Sequence, residues 1–287
     1  MTGPAEPLAP IPFGARLTTA IAERGPFCVG VDPHAGLLRA WGLDDDVSGL
    51  ERFALTVAEA VAPHTSVVKP QSAFFERFGS RGIAVLERLV EACRDAGALV
   101  LLDVKRGDIG STSQAYADAY LDPASPLGAD AVTVSPFLGF GSLDPFVATA
   151  KRHGGGLFVL ALTSNAEGPE VQHARTDDGG TVAGRVLDRL RRLNADPVPG
   201  AGALGSFGAV VGATIGSTEE DLGFGGPVLA PGFGAQGGTV ADLRRLFGAA
   251  AAVLPSSSRG VLRLGPDVGA MRGEVLRSND ELRGLAR

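Results

Sequence analysis

The feature of this sequence that most restricts its fold is a regular alternation of short apolar segments with longer segments of helical periodicity. Eight apolar segments read as strands, at 27–33, 66–71, 98 to about 105, 129–136, 156–164, 207–214, 227–232 and 253–259. Helical patterns are predicted at 13–24, 48–62, 82–96, from about 111, at 142–152, 182–193, 239–250 and at the carboxyl end, with a short one within 217–226. Eight strand–helix units in order favour a closed parallel (β/α)8 barrel, the TIM-barrel architecture of the α/β class, over an open doubly wound sheet.

The size and composition of the chain suit one such barrel. It has 287 residues, of which 45% are hydrophobic and 20% charged, enough for a large core. We therefore expect a single domain over 1–287, with a Pro-rich lead-in at 1–12 and a first helix that closes one end of the barrel. Ser111 and Gln114 have the spacing of a capping box for the helix after the third strand.

The charge and cysteine content limit the partners and the compartment. A net charge of −6 argues against nucleic acid or an anionic membrane as the main partner. Cys28 and Cys93 lie in apolar settings without CxxC spacing, which indicates buried free thiols in a reducing compartment. No basic segment followed by an apolar run resembles a signal peptide, and no apolar run approaches the roughly 18 residues of a membrane span. We expect a cytoplasmic protein.

Charged residues gather at the predicted carboxyl ends of the first three strands. Asp32, Lys69, Asp103, Lys105 and Asp108 all fall there, and this end of a (β/α)8 barrel carries the active site. Asp103 and Lys105 are two residues apart, so they project from the same side of the sheet. A structural ion pair explains one Asp-x-Lys about as well as catalysis does, but five converging ionisable groups favour a catalytic or ligand-binding role.

A second candidate site is the Gly-rich segment 231–239, between the seventh strand and its helix. Its glycines let backbone amides approach an anion, and the helix start adds its positive end. The segment also matches GxGxxG, so a dinucleotide site is an alternative. Two observations argue against it: the segment lies in the seventh strand–helix unit, not the first, and the next strand ends in Ser257-Ser258-Arg259 where a dinucleotide site has a ribose-binding acid. Arg259 is suited to bidentate binding of a phosphate. A surface arginine is the alternative, but the loops after strands seven and eight form a recurrent phosphate site in such barrels, which favours a phosphorylated ligand.

Other sequence features indicate no further chemistry. His34, His64, His153 and His173 form no pair at metal-ligand spacing, so no metal and no organic cofactor is predicted. The polar segment 165–181 is long for a strand–helix connection, and such loops often act as lids.

The segment Asp103-Val-Lys105-Arg-Gly-Asp108-Ile-Gly-Ser-Thr112 closely resembles the Asp-x-Lys-x-x-Asp-Ile signature of the orotidine 5'-phosphate decarboxylase family. Further segments resemble its longer bacterial branch, in order from 31 to 260: Val31-Asp-Pro-His, Val68-Lys-Pro-Gln-Ser-Ala-Phe-Phe-Glu, Leu162-Thr-Ser-Asn, Ala230-Pro-Gly-Phe-Gly-Ala-Gln-Gly-Gly and Ser257-Ser-Arg-Gly. The resemblance implies a cofactor-free barrel enzyme that converts orotidine 5'-monophosphate to uridine 5'-monophosphate in de novo pyrimidine biosynthesis.

The resemblance also implies a role for each matching residue. Lys105 would stabilise a carbanion at C6 of the pyrimidine and protonate it, Asp103 would face the substrate carboxylate, and Lys69 and Asp108 would complete the charged network. The substrate-binding residues would be Asp32 and Lys69 at the ribose, Ser164 and Asn165 near the base, Gln236, Gly237 and Arg259 at the phosphate, and Thr112. Asp108 and Thr112 would reach into the neighbouring subunit's site of a homodimer.

Three alternatives remain open at this point. The same Asp-x-Lys core occurs in Mg²⁺-dependent sugar-phosphate enzymes of this barrel superfamily, such as decarboxylases and hexulose-phosphate synthases. A Schiff-base aldolase would use Lys69 or Lys105 as a nucleophile, but the neighbouring acids keep such a lysine charged. A non-catalytic phosphoribosyl-binding protein would keep the pocket without turnover.

Overall fold

In the computed structural model, which describes residues 9–195, 204–248 and 252–283, eight parallel strands close into a barrel in the order of the chain. The strands are β1 Cys28–Val31, β2 Val67–Pro70, β3 Leu99–Arg106, β4 Ala131–Val134, β5 Gly156–Leu162, β6 Phe207–Val211, β7 Pro227–Pro231 and β8 Ala252–Ser257. β1 pairs with both β2 and β8, which closes the ring. The predicted (β/α)8 barrel is confirmed.

Helices surround the barrel and connect its strands. They are α1 Phe13–Arg24, α2 Ala35–Ala40, α3 Val47–Val61, α4 Ala73–Glu76, α5 Ser80–Asp95, α6 Gly110–Leu121, α7 Asp144–His153, α8 Gly168–Gln172, α9 Val182–Asn194, α10 Val240–Phe247, α11 Arg259–Leu262 and α12 Val268–Leu282, with 3-10 turns at Ala62–His64 and Phe140–Leu143. The longer helices bury an apolar face against the outside of the barrel, as their three- and four-residue spacing predicts.

The lower interior of the barrel is an apolar layer to which every strand contributes one side chain. These are Cys28, Val67, Leu101, Ala131, Phe158, Val210, Leu229 and Leu254. Phe13 and Leu17 of α1 pack against this layer from below, and the ring of Phe13 meets that of Phe158 edge to face. A methyl group on Gly156 would lie 2.4 Å from the Phe13 ring, so only glycine lets α1 close the barrel this tightly. The predicted closure by the first helix is confirmed.

The next inward-facing layer is polar. Because side chains alternate along a strand, the residues two positions after Val67, Leu101 and Ala131 also face the interior. They are Lys69, Asp103 and Thr133, all buried. The change from apolar to polar layers places charge at the carboxyl end of the strands.

Several local predictions differ from the structure. Residues 212–226 hold turns and bends instead of a sixth helix, and eight of those fifteen are Gly, Ser or Thr, which favour turns. Ser111 does not cap α6: the helix begins at Gly110 after Ile109, without a side-chain cap. The segment 165–181 contains the short helix α8, and Thr181 caps α9. β4 is Ala131–Val134, shorter than the predicted 129–136.

Two predictions concern the whole chain. Both cysteines are free and buried, as predicted, and burial raises the pKa of Cys28 to about 11 and that of Cys93 to about 12. Across the described ranges, no helix is both long and apolar enough to span a bilayer. The single-domain assignment over 1–287 stays a prediction, and most of its lead-in, residues 1–8, lies outside the described residues.

Candidate active site

The site is organised around the Asp103 carboxylate, on the inner face of β3. Within the described residues, four side chains donate hydrogen bonds to it. Oδ2 accepts from Lys69 Nζ at 2.8 Å and Gln71 Nε2 at 3.2 Å. Oδ1 accepts from Lys105 Nζ at 2.6 Å and Thr133 Oγ1 at 2.8 Å. One carboxylate therefore holds two lysine ammonium groups, one at each oxygen.

The two lysines differ in exposure. The Lys69 side chain is 8% exposed and that of Asp103 9%, whereas the Lys105 side chain is 46% exposed at the barrel mouth. Lys69 and Asp103 thus form a buried ion pair, which is stable only because each charge has a partner. Lys105 is the ammonium that a ligand at the barrel mouth can reach.

Electrostatics keep the buried pair ionised. Burial alone would raise the pKa of Asp103, but the charges and hydrogen bonds of Lys69 and Lys105 hold that pKa well below its ordinary value. Burial alone would lower the pKa of Lys69, but Asp103 and Asp32 reverse this effect and raise it. The site therefore presents fixed opposite charges at neutral pH.

The backbone of Lys105 is strained. Its φ is +45°, in the left-handed region, and it is the non-glycine residue with positive φ in the described chain. The β3–β4 pairing shifts register between Leu102 and Arg106, so four steps along β3 match two along β4. Strain of this kind persists only where surrounding contacts hold it, and it concentrates at functional sites.

Asp32 follows β1 and contributes a second carboxylate beside Lys69. Its Oδ1 is buried without a hydrogen-bond partner among the described residues, and so is Ser258 Oγ. A methyl group on Gly30 would lie 2.9 Å from Ser258 Cβ and 3.6 Å from Asp32 Oδ1, so the two side chains approach the same glycine. Unpaired buried oxygens are costly and are suited to a bound ligand.

Asp108 and Thr112 lie apart from the Asp103 cluster. Asp108 Oδ1 accepts a hydrogen bond from the amide of Ile109 at 2.8 Å, and Thr112 is exposed on the first turn of α6. Within the described chain neither contacts Lys69 or Lys105. Asp108 follows the end of β3 at Arg106, so within one subunit the cluster consists of residues other than Asp108 and Thr112, and their assignment to the neighbouring subunit's site stays a prediction.

Gln71 and Thr133 contact Asp103 but were not among the predicted site residues. Both could have been found from the sequence. Gln71 is two residues after Lys69, and Thr133 is the polar residue within the apolar β4 segment, two after Ala131. The same alternation that pairs Asp103 with Lys105 predicts that these side chains face the barrel interior.

The Gly-rich loop after β7 lies against the start of α11. A methyl group on Gly260 would be 3.9 Å from Ala235 Cβ, while Gln236, Gly237 and Arg259 are exposed. The Gly237 amide donates to Gly234 O at 2.8 Å. In this conformation the amide is thus hydrogen-bonded within its own turn.

Ser164 and Asn165 lie at the carboxyl end of β5, beside a cavity of about 270 Å³. Both are exposed, and Asn165 Nδ2 donates to Glu167 Oε2 at 2.9 Å. Gln172 of α8 ties this turn to the strand, because its Oε1 accepts from the Thr163 amide at 2.9 Å. Among the described residues, no group of three or more His, Cys, Asp or Glu side chains is arranged to hold a metal ion.

Comparison with known proteins identifies the family. Residues 25–273 match the orotidine 5'-phosphate decarboxylase / HUMPS family. The orotidine 5'-phosphate decarboxylase of Nocardioides sp. is 78% identical over 277 residues, covering 95% of this chain and 99% of that protein. That of Salinispora tropica is 65% identical over 263 residues, covering 91% and 93%.

The structural comparison agrees with the sequence relatives. A crystal structure from Streptomyces avermitilis superposes with a TM-score of 0.93 at 57% identity, covering 99% of both chains. The resemblance seen in the sequence motifs is confirmed: this chain belongs to the orotidine 5'-phosphate decarboxylase / HUMPS family.

Proposed function

We propose that this chain is a carboxy-lyase that converts orotidine 5'-monophosphate to uridine 5'-monophosphate, a step of de novo pyrimidine biosynthesis. The observation that carries the proposal is the charged array at the barrel mouth, in which the Asp103 carboxylate joins the buried Lys69 to the accessible Lys105. The curated relatives that carry this enzyme name support it, since they align with nearly the whole chain.

In the proposed reaction the bond between C6 and the carboxylate breaks, and its electron pair stays on C6 as carbon dioxide leaves. The pyrimidine ring delocalises this vinyl-type carbanion poorly, so stabilisation must come from fixed charge that needs no reorganisation. The Lys105 ammonium supplies that charge. It then transfers a proton to C6, which completes the product and leaves a neutral amine that regains a proton from solvent.

Asp103 and Lys69 prepare this array. Asp103 faces the substrate carboxylate and holds Lys105 in place through the 2.6 Å contact of Oδ1 with Nζ. Lys69 compensates the Asp103 charge from the opposite oxygen, so that the carboxylate stays ionised in a buried position. Asp108 completes the network in the assembled enzyme.

The remaining contacts bind the nucleotide. The unpaired Asp32 Oδ1 suits a ribose hydroxyl, which would donate the missing hydrogen bond, with Lys69 beside it. Ser164 and Asn165 contact the pyrimidine edge, and Gln236, Gly237 and Arg259 bind the phosphate. Phosphate binding far from C6 supplies binding energy that orders the reacting groups.

We propose a homodimer in which Asp108 and Thr112 complete the partner's site. Exposed large apolar side chains in the loops after β3 and β4 support an interface there: Ile109, next to Asp108 in the chain, is 63% exposed, Phe137 75% and Leu138 52%. They follow β3 and β4, which are neighbours in the barrel. Exposed apolar groups of this size, next to a charged catalytic edge, are typical of a protein–protein interface.

The test is turnover of orotidine 5'-monophosphate, followed by ultraviolet absorbance in excess EDTA. Wild-type protein should be fully active without metal, and Lys105→Ala should lose turnover while its circular dichroism spectrum is unchanged. Loss of all activity in EDTA would favour a Mg²⁺-dependent sugar-phosphate enzyme. Near-normal turnover of Lys105→Ala would refute the assignment, and a borohydride-trapped adduct on Lys69 or Lys105 would favour an aldolase.

A further inference from the structure

Thr133 occupies a position that the reaction as described does not use. It lies on the inner face of β4, 1% exposed, one layer above Ala131 and directly beside Asp103. A hydroxyl in a barrel interior is costly unless it is hydrogen-bonded, so its partners indicate what it does.

The Thr133 hydroxyl makes two hydrogen bonds of opposite sense. Oγ1 donates to Asp103 Oδ1 at 2.8 Å and accepts from the Lys105 backbone amide at 3.0 Å. The hydroxyl has one proton, and Asp103 is ionised, so the direction of both bonds is determined. Thr133 thus links the backbone of Lys105 to the carboxylate that also holds the Lys105 ammonium.

These bonds lie at the irregular part of the β3–β4 pairing. The ladder pairs Leu102 with Val132 and then Arg106 with Val134, and Lys105 falls between these pairs with φ at +45°. The Thr133 side chain accepts from the Lys105 amide at the point where the regular register is lost. Loss of that acceptor removes a hydrogen bond that holds the amide of a strained residue.

We propose that Thr133 is the positioning residue for Lys105: its hydroxyl holds the strained Lys105 backbone and the Asp103 carboxylate in the one arrangement that aims the ammonium at the reacting carbon. This inference rests on the proposed function, since it assigns Thr133 a part in the same proton transfer. Thr133 itself does not touch the reacting atoms.

The two nearest substitutions separate the hydroxyl from the shape of the side chain. Valine keeps the branched shape but can make neither hydrogen bond, whereas serine keeps the hydroxyl and loses a methyl group. If Thr133 only filled space, Thr133→Val would be the milder change. If it positions Lys105, Thr133→Ser is the milder one.

In steady-state assays with orotidine 5'-monophosphate, we expect Thr133→Val to lower kcat about 10- to 100-fold through misplacement of the Lys105 ammonium. KM should change less than about threefold, because the phosphate and ribose contacts are untouched. Thr133→Ser should stay within about threefold of wild type in kcat.

Thr149→Val is the matched control. Thr149 lies on α7, outside the barrel, and is also buried. Its hydroxyl accepts a hydrogen bond from Gln114 Nε2 at 3.0 Å. The same substitution there should leave kcat unchanged. Should Thr133→Val fail to fold in circular dichroism, Thr133→Ala is measured against the same expectation, since it lacks the same hydroxyl.

The outcomes are distinct. A kcat for the hydroxyl-less variants within threefold of wild type, or a loss in Thr133→Ser equal to that in Thr133→Val, would overturn the role of Thr133 while leaving the proposed function intact. A wild-type protein without turnover would overturn the proposed function and this inference together.

Discussion

Asp103 is the residue through which stability and chemistry are coupled in this barrel. Its carboxylate compensates the buried Lys69 ammonium and restrains the accessible Lys105. Removing one partner of a buried ion pair leaves an uncompensated charge, which costs far more than the pair itself contributes.

Asp103→Asn should therefore lower the free energy of unfolding by about 3–5 kcal/mol at neutral pH as well as abolish turnover. Urea denaturation measures the first effect. Asp95→Asn, which changes an exposed carboxylate at the last residue of α5, is the control and should leave stability nearly unchanged. A stable Asp103→Asn protein would show that Lys69 finds compensation elsewhere.

The stability difference between wild type and Asp103→Asn should depend on pH in a definite direction. The pKa of Asp103 is lower in the folded protein than its ordinary value of 3.8. Its contribution to the free energy of unfolding is therefore complete above pH 3.8 and is lost as the pH falls below that value. The pKa of Lys69 is raised above its ordinary value of 10.5, so its contribution to the free energy of unfolding is complete below pH 10.5. The difference in free energy of unfolding between wild type and Asp103→Asn should therefore narrow as the pH falls below 3.8.

At the scale of single elements, the loops after β7 and β8 carry the proposed phosphate contacts. The Gly-rich loop contains three glycines with positive φ, Gly232, Gly234 and Gly237. Other residues adopt this backbone conformation only with strain. Arg259 opens α11 beside this loop. The site is thus built from two loops on neighbouring strands.

Arg259→Ala should raise KM about 10- to 100-fold and lower kcat less, because a bidentate phosphate contact acts mainly in binding. Arg277→Ala is the control: this arginine of α12 has a side chain that is 66% exposed and pairs with Glu274. Initial rates over a range of substrate concentrations measure both. An unchanged KM in Arg259→Ala would place the phosphate elsewhere.

At the scale of the whole molecule, the proposed dimer can be tested by mixing two inactive variants. If Asp108 serves the partner's site, a dimer of one Lys105→Ala and one Asp108→Ala subunit has one site with both residues intact. An equal mixture, after subunit exchange, should regain about a quarter of wild-type activity. Each variant alone stays inactive, and an inactive mixture with confirmed heterodimers would assign Asp108 to its own subunit.

The sequence alone determined the barrel and most of its charged edge. Strand periodicity reports burial directly, so eight apolar segments located the eight strands, and the position of Asp103 and Lys105 at a strand end predicted their shared face. The prediction of a sixth helix was wrong. It rested on the regular alternation of strands and helices, but a segment rich in Gly, Ser and Thr has little helical propensity.

Only the tertiary structure decided which groups meet. Thr133 lies on β4 and Gln71 directly follows β2, so their contacts with Asp103 depend on the relative register of β2, β3 and β4, which no local pattern encodes. The strained backbone of Lys105 likewise arises from the shift between β3 and β4. Local periodicity determines which face a side chain occupies, but barrel closure determines what stands opposite it, because register is set by the packing of all the strands together.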